Sequence, residues 1–201
     1  MTALQIADII GVISFALSGF LIAVHYKFDI LGIFISSFLT ALGGGIIRDV
    51  IANKPPFVFN NNLPIILVFA TLFLAFIFNI HKKTDLEGKT WFIVSDAVGL
   101  TSFAITGALV GIEVNFNFLG VLMLAFLTAV GGGTIRDILI NKVPSILVSE
   151  FYGTVAIIVG TFTYFLNIFH EANIINLTIL FALGVTLRLL AFYKKWSLPK
   201  L

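Results

Sequence analysis

Two stretches of this sequence place the same ionisable pair behind the same run of glycines. They are Gly43, Gly44, Gly45, then two residues, then Arg48 and Asp49; and Gly131, Gly132, Gly133, then two residues, then Arg136 and Asp137. Both runs lie in otherwise apolar segments, and an aspartate, Asp8 or Asp96, precedes each at the same distance. Ionisable groups in such a setting are costly, face the interior or water, and mark ion or substrate pathways. Their chemistry would be charge compensation and passage of polar species. Covalent catalysis is not indicated, because no nucleophile–base pair is recognisable. The motif is not a phosphate loop, since the GK[ST] ending and a preceding strand are missing. His25, His81 and His170 fall at segment ends without a shared face, and there are no cysteines. No enzyme, metal site or cofactor is expected.

Adjacent helical residues point about 100° apart. Arg48 and Asp49 should therefore each find a partner on another helix, as should Arg136 and Asp137. Asp8 lies about one turn inside the first apolar segment, and Arg48 about one turn from the end of the second. Antiparallel neighbours would bring them to one depth, and Asp96 and Arg136 to one depth at the opposite end. We expect Asp8–Arg48 and Asp96–Arg136 as paired charges at two mouths.

A small and polar stripe runs between these charges at helical spacing. In the first segment it comprises Asp8, Gly11, Ser14 (or Phe15) and Ser18; in the fourth, Asp96, Gly99, Ser102 and Thr106. The second continues it through Ser37, Thr40, Gly44 and Arg48, and the fifth through Ala125, Thr128, Gly132 and Arg136. Hydroxyls can replace part of a cation's hydration shell while binding it weakly. Ser14, Ser18, Thr40, Ser102, Thr106 and Thr128 are thus candidates for lining a hydrated path, with Phe15 or Phe103 as an apolar plug. The competing reading is ordinary interhelical bonding. The triple glycines are expected to kink or open their helices onto a cavity. The competing reading there is close helix packing.

The elements that must carry these residues are membrane helices. The chain is 59% hydrophobic and 11% charged, with a mean hydropathy of +1.10, whereas soluble domains carry roughly 25% charged residues. A net charge of +2 gives no footprint for nucleic acid. Spans of about 20 apolar residues are read at Leu4–Val24, Ile30–Ala52, Leu63–Ile80, Trp91–Gly111, Phe116–Ile140, Ile146–Phe169 and Ile174–Tyr193. The first is expected to be retained, because Asp8 and the missing basic flank do not suit a cleaved signal peptide. From Asp8 to Pro56 the chain is repeated 88 residues later without a gap, with nearly half of the paired positions identical. A duplication follows. Three spans per repeat is odd, so the second repeat inserts upside down. The expected fold is all-α and polytopic. It is one membrane domain over residues 1–201, with two inverted three-helix repeats (about 4–80 and 91–169) and a seventh helix (about 174–193). Eight lysines on one side against Lys54 on the other place the N-terminus outside and the C-terminus in the cytoplasm. Arg188, near Lys194, is expected to snorkel to that surface.

Duplicated GGGxxRD in the second and fifth of seven spans resembles the trimeric intracellular cation (TRIC) channels, specifically their prokaryotic members. The resemblance covers nearly the whole chain. It implies a homotrimer in a prokaryotic plasma (inner) membrane, with a pore in each subunit walled by the first, second, fourth and fifth helices. It places kinks at Gly43–Gly45 and Gly131–Gly133, and implies permeant monovalent cations, mainly potassium, with membrane lipid as a further partner. The same broad family has bacterial members described as glycine transporters. The alternative is therefore a secondary carrier for a small zwitterion such as glycine.

Overall fold

The computed structural model describes residues 2–80, 86–148 and 151–196, the side chains of 86–89 excepted. His81, Lys82, Lys83, Lys200 and the side chain of Lys89, which enter the readings above, lie outside the described residues. The described residues are all-helical, with no strand: α1 (Ala3–His25), α2 (Ile30–Ile51), α3 (Phe57–Asn60), α4 (Leu63–Ile77), α5 (Leu86–Glu113), α6 (Phe118–Leu139), α7 (Ser145–Val148), α8 (Tyr152–Ile168) and α9 (Ile174–Tyr193). Five of them, α1, α2, α5 from Thr90, α6 and α9, are long and apolar enough to cross a membrane.

Duplicated sequence makes duplicated helix ends. Asp29 caps α2 by accepting the Gly32 N–H at 2.7 Å, and Asn117 caps α6 by accepting the Gly120 N–H at 2.8 Å. A side-chain oxygen here satisfies one of the first N–H groups, which have no partner within the helix. At the other ends Lys27 and Asn115, and Asn53 and Asn141, take positive φ. That conformation turns the chain and lets outer N–H groups reach back to the last carbonyls.

The third element of each repeat departs from expectation. The segment expected as one span, Ile146–Phe169, is split into α7 and α8, with Phe151 left-handed (φ 51°) before Tyr152. In repeat one the short α3 likewise precedes α4. The helices that remain, α4 and α8, have 15 and 17 residues. At the α-helical rise these are about 22 and 26 Å long, short of the ~30 Å hydrocarbon core. The aspartates of the two motifs bind the starts of α3 and α7 and so hold a separate short helix ahead of α4 and of α8, as described below.

The centre is a four-helix cross. α1 packs on α2 and α5, while α6 packs on α5 and α2; α4 lies on α1, α8 on α5 and α6, and α9 on α5 and α8. Phe15, Phe20, Phe103, Leu42 and Leu100 fill the middle and are completely buried. The outward face of α4 (Ile66, Phe69, Phe73, Ile77) is exposed and apolar, as suits lipid or a subunit neighbour.

At the glycine triplets, α2 and α6 run as unbroken helices through Gly43–Gly45 and Gly131–Gly133. The backbone is not opened there, contrary to the expected break. What the glycines provide is contact. A Cβ on Gly44 would stand 2.2 Å from the Thr128 carbonyl oxygen, and one on Gly132 would stand 2.0 Å from that of Thr40. The two helices cross backbone to backbone at this point, as small residues permit in membranes.

Candidate functional site

Asp8, Arg48 and Asp49 meet at the end of the bundle where α1 begins and α2 finishes. Arg48 Nη1 donates to Asp8 Oδ1 at 2.7 Å, and Arg48 Nε donates to Asp49 Oδ1 at 2.8 Å. Asp49 Oδ2 in turn accepts the backbone N–H of Phe57 at 2.8 Å. The Phe57 ring lies 5.4 Å from the guanidinium. One aspartate thus fixes the arginine and anchors the start of α3.

The opposite end repeats the arrangement. Arg136 Nη1 donates to Asp96 Oδ1 at 2.8 Å and Arg136 Nε to Asp137 Oδ1 at 3.0 Å; Asp137 Oδ2 accepts the Ser145 N–H at 2.7 Å. The Arg–Asp pairing across helices is therefore present at both ends. The expectation that neighbours in one motif cannot meet is corrected. The arginine side chain is long enough to fold back across the 100° gap, and its fork reaches both aspartates at once.

The two clusters are not equivalent. Arg136 is completely buried, and its aspartates are 5% (Asp96) and 1% (Asp137) exposed. Ser18 completes this cluster: its Oγ accepts from Arg136 Nη1 at 2.7 Å and donates to Asp96 Oδ1 at 3.1 Å. Phe92 lies 5.0 Å from the guanidinium, and the Tyr152 hydroxyl stands 3.1 Å from a Cβ placed on Gly133. At the N-terminal end the Asp8 side chain is 16% exposed and opens into a cavity of about 510 Å³. Rim charges Lys54 and Glu113 pair at 2.8 Å above it.

Between the clusters the polar stripe is packed. Ser18, Thr40, Ser102, Thr106 and Thr128 are completely buried, and Ser14 is half-buried. Thr40 and Thr128 donate to carbonyls one turn back, at 2.6 Å to Ser36 and to Leu124. Thr106 donates to Phe103 at 3.3 Å, while the Ser102 hydroxyl is buried without a protein partner. Phe15 and Phe103 meet edge to face at 5.2 Å. Each ring lies over the glycine of the other repeat, Phe15 on Gly99 and Phe103 on Gly11. The two rings are thus packed against each other between the repeats.

Sequence reasoning missed several participants. Phe57 and Ser145 act through backbone N–H groups, which carry no side-chain signature. Their only trace was that they too are 88 residues apart. Phe92 and Tyr152 were hidden among many aromatics. Arg188 is a correction: it is 5% exposed and lies over the rings of Tyr152 (4.9 Å) and Phe192 (5.9 Å), instead of reaching the surface. Aromatic faces hold a guanidinium well where water is scarce.

A family model described as "Glycine transporter" matches residues 5–80 and 93–167, one match per repeat. The UPF0126 membrane protein YvgT of Bacillus subtilis is 32% identical over 98% of this chain and 96% of its own. A solved TRIC cation channel is 37% identical and superposes with a TM-score of 0.83 over 98% of this chain and 96% of that one. The TRIC orthologue from Rhodobacter sphaeroides, 26% identical, gives 0.88 over 97% and 100%. With two GGGxxRD clusters at opposite ends of one bundle, and with these likenesses spanning nearly the full chain, the protein belongs to the prokaryotic TRIC channel family, whose repeat the glycine-transporter model describes.

Proposed function

We propose that this protein is a channel for monovalent cations, mainly potassium, with the pathway inside each subunit between the inverted repeats. The observation that carries the reading is a pair of Arg–Asp–Asp clusters at the two ends of one bundle, with buried hydroxyls between them. A path needs two mouths and a neutral middle. Each cluster holds two carboxylates and one guanidinium, so each mouth favours cations. Ser14, Ser18, Thr40, Ser102, Thr106 and Thr128 supply the middle once Phe15 and Phe103 separate. The cavity of about 510 Å³ has room for roughly 17 waters at ~30 Å³ each, so a cation can enter hydrated. Solved relatives that are TRIC cation channels support the same reading. In it seven helices span the inner membrane, with α4 and α8 completed by α3 and α7. The N-terminus is outside, three copies form a homotrimer, and lipid surrounds them.

The test is a bilayer recording of purified protein under a potassium gradient. Discrete currents reversing near the potassium potential are expected. Silence, with saturable uptake of labelled glycine in matched liposomes, would replace the channel by a carrier. A second expected result concerns the rings. Phe15→Ala with Phe103→Ala should raise open probability several-fold in the same recording, because in this reading the pair closes the path. Truncation of a buried Phe costs about 3–5 kcal/mol, so the variant should also melt earlier. Unchanged currents from a folded double variant would remove the rings from gating.

A further inference from the structure

The repeats are alike at the charges but differ in what stands over them. Phe92 and Tyr152 cover Arg136 and Gly133. Eighty-eight residues earlier stand Leu4 and Pro64, and both line the N-terminal cavity. Repeat two carries two rings there, whereas repeat one has only Phe57, over Arg48 and Gly45, and leaves space beside it.

That space has a definite chemistry. Its walls are largely apolar, with Leu4, Ile9, Val12, Pro64, Leu67 and Val110 among them. Its ionisable groups are three carboxylates (Asp8, Asp49, Glu113) against two cations (Arg48, Lys54), one negative charge in excess. Asp49 is 4% exposed with both oxygens engaged, by Arg48 and Phe57, and Glu113 is paired with Lys54 at the rim. Asp8 is held by Arg48 through Oδ1, and its side chain, 16% exposed, lies on the floor of the cavity. An inorganic cation gains little from apolar walls, because it must keep its water or bear a large desolvation cost. A neutral apolar molecule ignores the excess charge. A quaternary ammonium fits both: its alkyl groups bury against the walls, at roughly 25 cal/mol per Å², and its diffuse charge sits near Asp8. The volume of about 510 Å³ is that of an ordinary small-molecule site, roughly 300–1,000 Å³.

We infer that the N-terminal cavity is a binding site for small alkylammonium cations, with Asp8 as the charge partner and the size of residue 4 as the determinant of access. The inference deepens the channel reading by naming a ligand class for its N-terminal mouth, where such a cation would sit as a one-sided blocker. It rests on the cavity and needs no conduction.

The experiment is equilibrium binding by calorimetry in lipid nanodiscs, with choline and its uncharged carbon isostere 3,3-dimethyl-1-butanol as probes. Saturable choline binding is expected, with the isostere at least tenfold weaker. Leu4→Phe, which gives repeat one the residue that repeat two carries, should weaken choline at least tenfold at unchanged melting temperature. If Leu4→Phe fails to fold, Asp8→Asn keeps the shape, removes the charge and should have the same effect. No saturable choline binding to folded protein overturns the inference. So does an isostere that binds equally, or a folded variant that binds like the parent. A silent bilayer beside intact choline binding would overturn conduction and leave this site standing.

Discussion

Gly132→Ala should destabilise the protein severely, while Gly43→Ala should be nearly silent. One methyl group separates each variant from the parent, so the contrast isolates the neighbours. At Gly132 the new Cβ would stand 2.0 Å from the Thr40 carbonyl oxygen and 3.0 Å from its carbon. Both are backbone atoms of an unbroken helix and cannot step aside. At Gly43 the nearest atom, at 2.8 Å, is the terminal methyl of Ile135, which can rotate away. Overpacking a tight interior costs roughly 1–3 kcal/mol, occasionally more, and Gly132→Ala belongs at or above the top of that range. Gly44→Ala should follow it, with the Thr128 carbonyl oxygen at 2.2 Å. Thermal melting of detergent-solubilised variants, with yield of monodisperse protein, is the check. A hinge would give a different pattern: well-folded variants with altered currents. Equal melting of Gly132→Ala and the parent would refute the backbone crossing.

Arg136→Met should be the most damaging charge change, at about 3–5 kcal/mol. Removing one partner of a buried pair leaves the other charge without compensation, and that loss far exceeds the net worth of the pair. Here two carboxylates would be abandoned, at 5% and 1% exposure, along with Ser18. Adding Asp96→Asn should recover part of the loss. It should not recover all of it, because Asp137 must still hold the Ser145 N–H. Arg48→Met should cost less, since Asp8 faces the cavity, where water can solvate it. A charge swap of Asp8 and Arg48 should rescue only partially, because it would set an aspartate beside Asp49. The ranking is read from melting temperatures of the variants and the combined variant. An Arg136→Met protein as stable as Arg48→Met would mean that the burial difference between the two clusters carries no energy.

Much of this was legible from composition and repetition. High hydropathy with few charges requires membrane helices, since a backbone in lipid must satisfy its own hydrogen bonds. The duplication ties the two clusters together, so that finding Asp8 near Arg48 obliges Asp96 to be near Arg136. Helical phase and depth were sufficient for that, because they depend only on residue count and rise. Arg188 and the glycines were read less well. Sequence phase gives the side of a helix but not what waits there. Snorkelling and burial over Tyr152 use the same side chain, and a glycine run suits both a bend and a crossing.

What the sequence determined by itself is the all-helical membrane class, the duplication and the aspartate that each arginine meets on another helix, all consequences of composition and periodicity along one chain. What the tertiary structure decided is which glycines meet a backbone, that Asp49 and Asp137 also anchor the helix start after their motifs, and that one charge cluster opens onto a cavity while the other is packed. Those depend on the distance between atoms far apart in sequence. A 2.0 Å approach at Gly132, or the replacement of Leu4 and Pro64 by Phe92 and Tyr152 over otherwise equal charges, has meaning only once the neighbouring helix is in place.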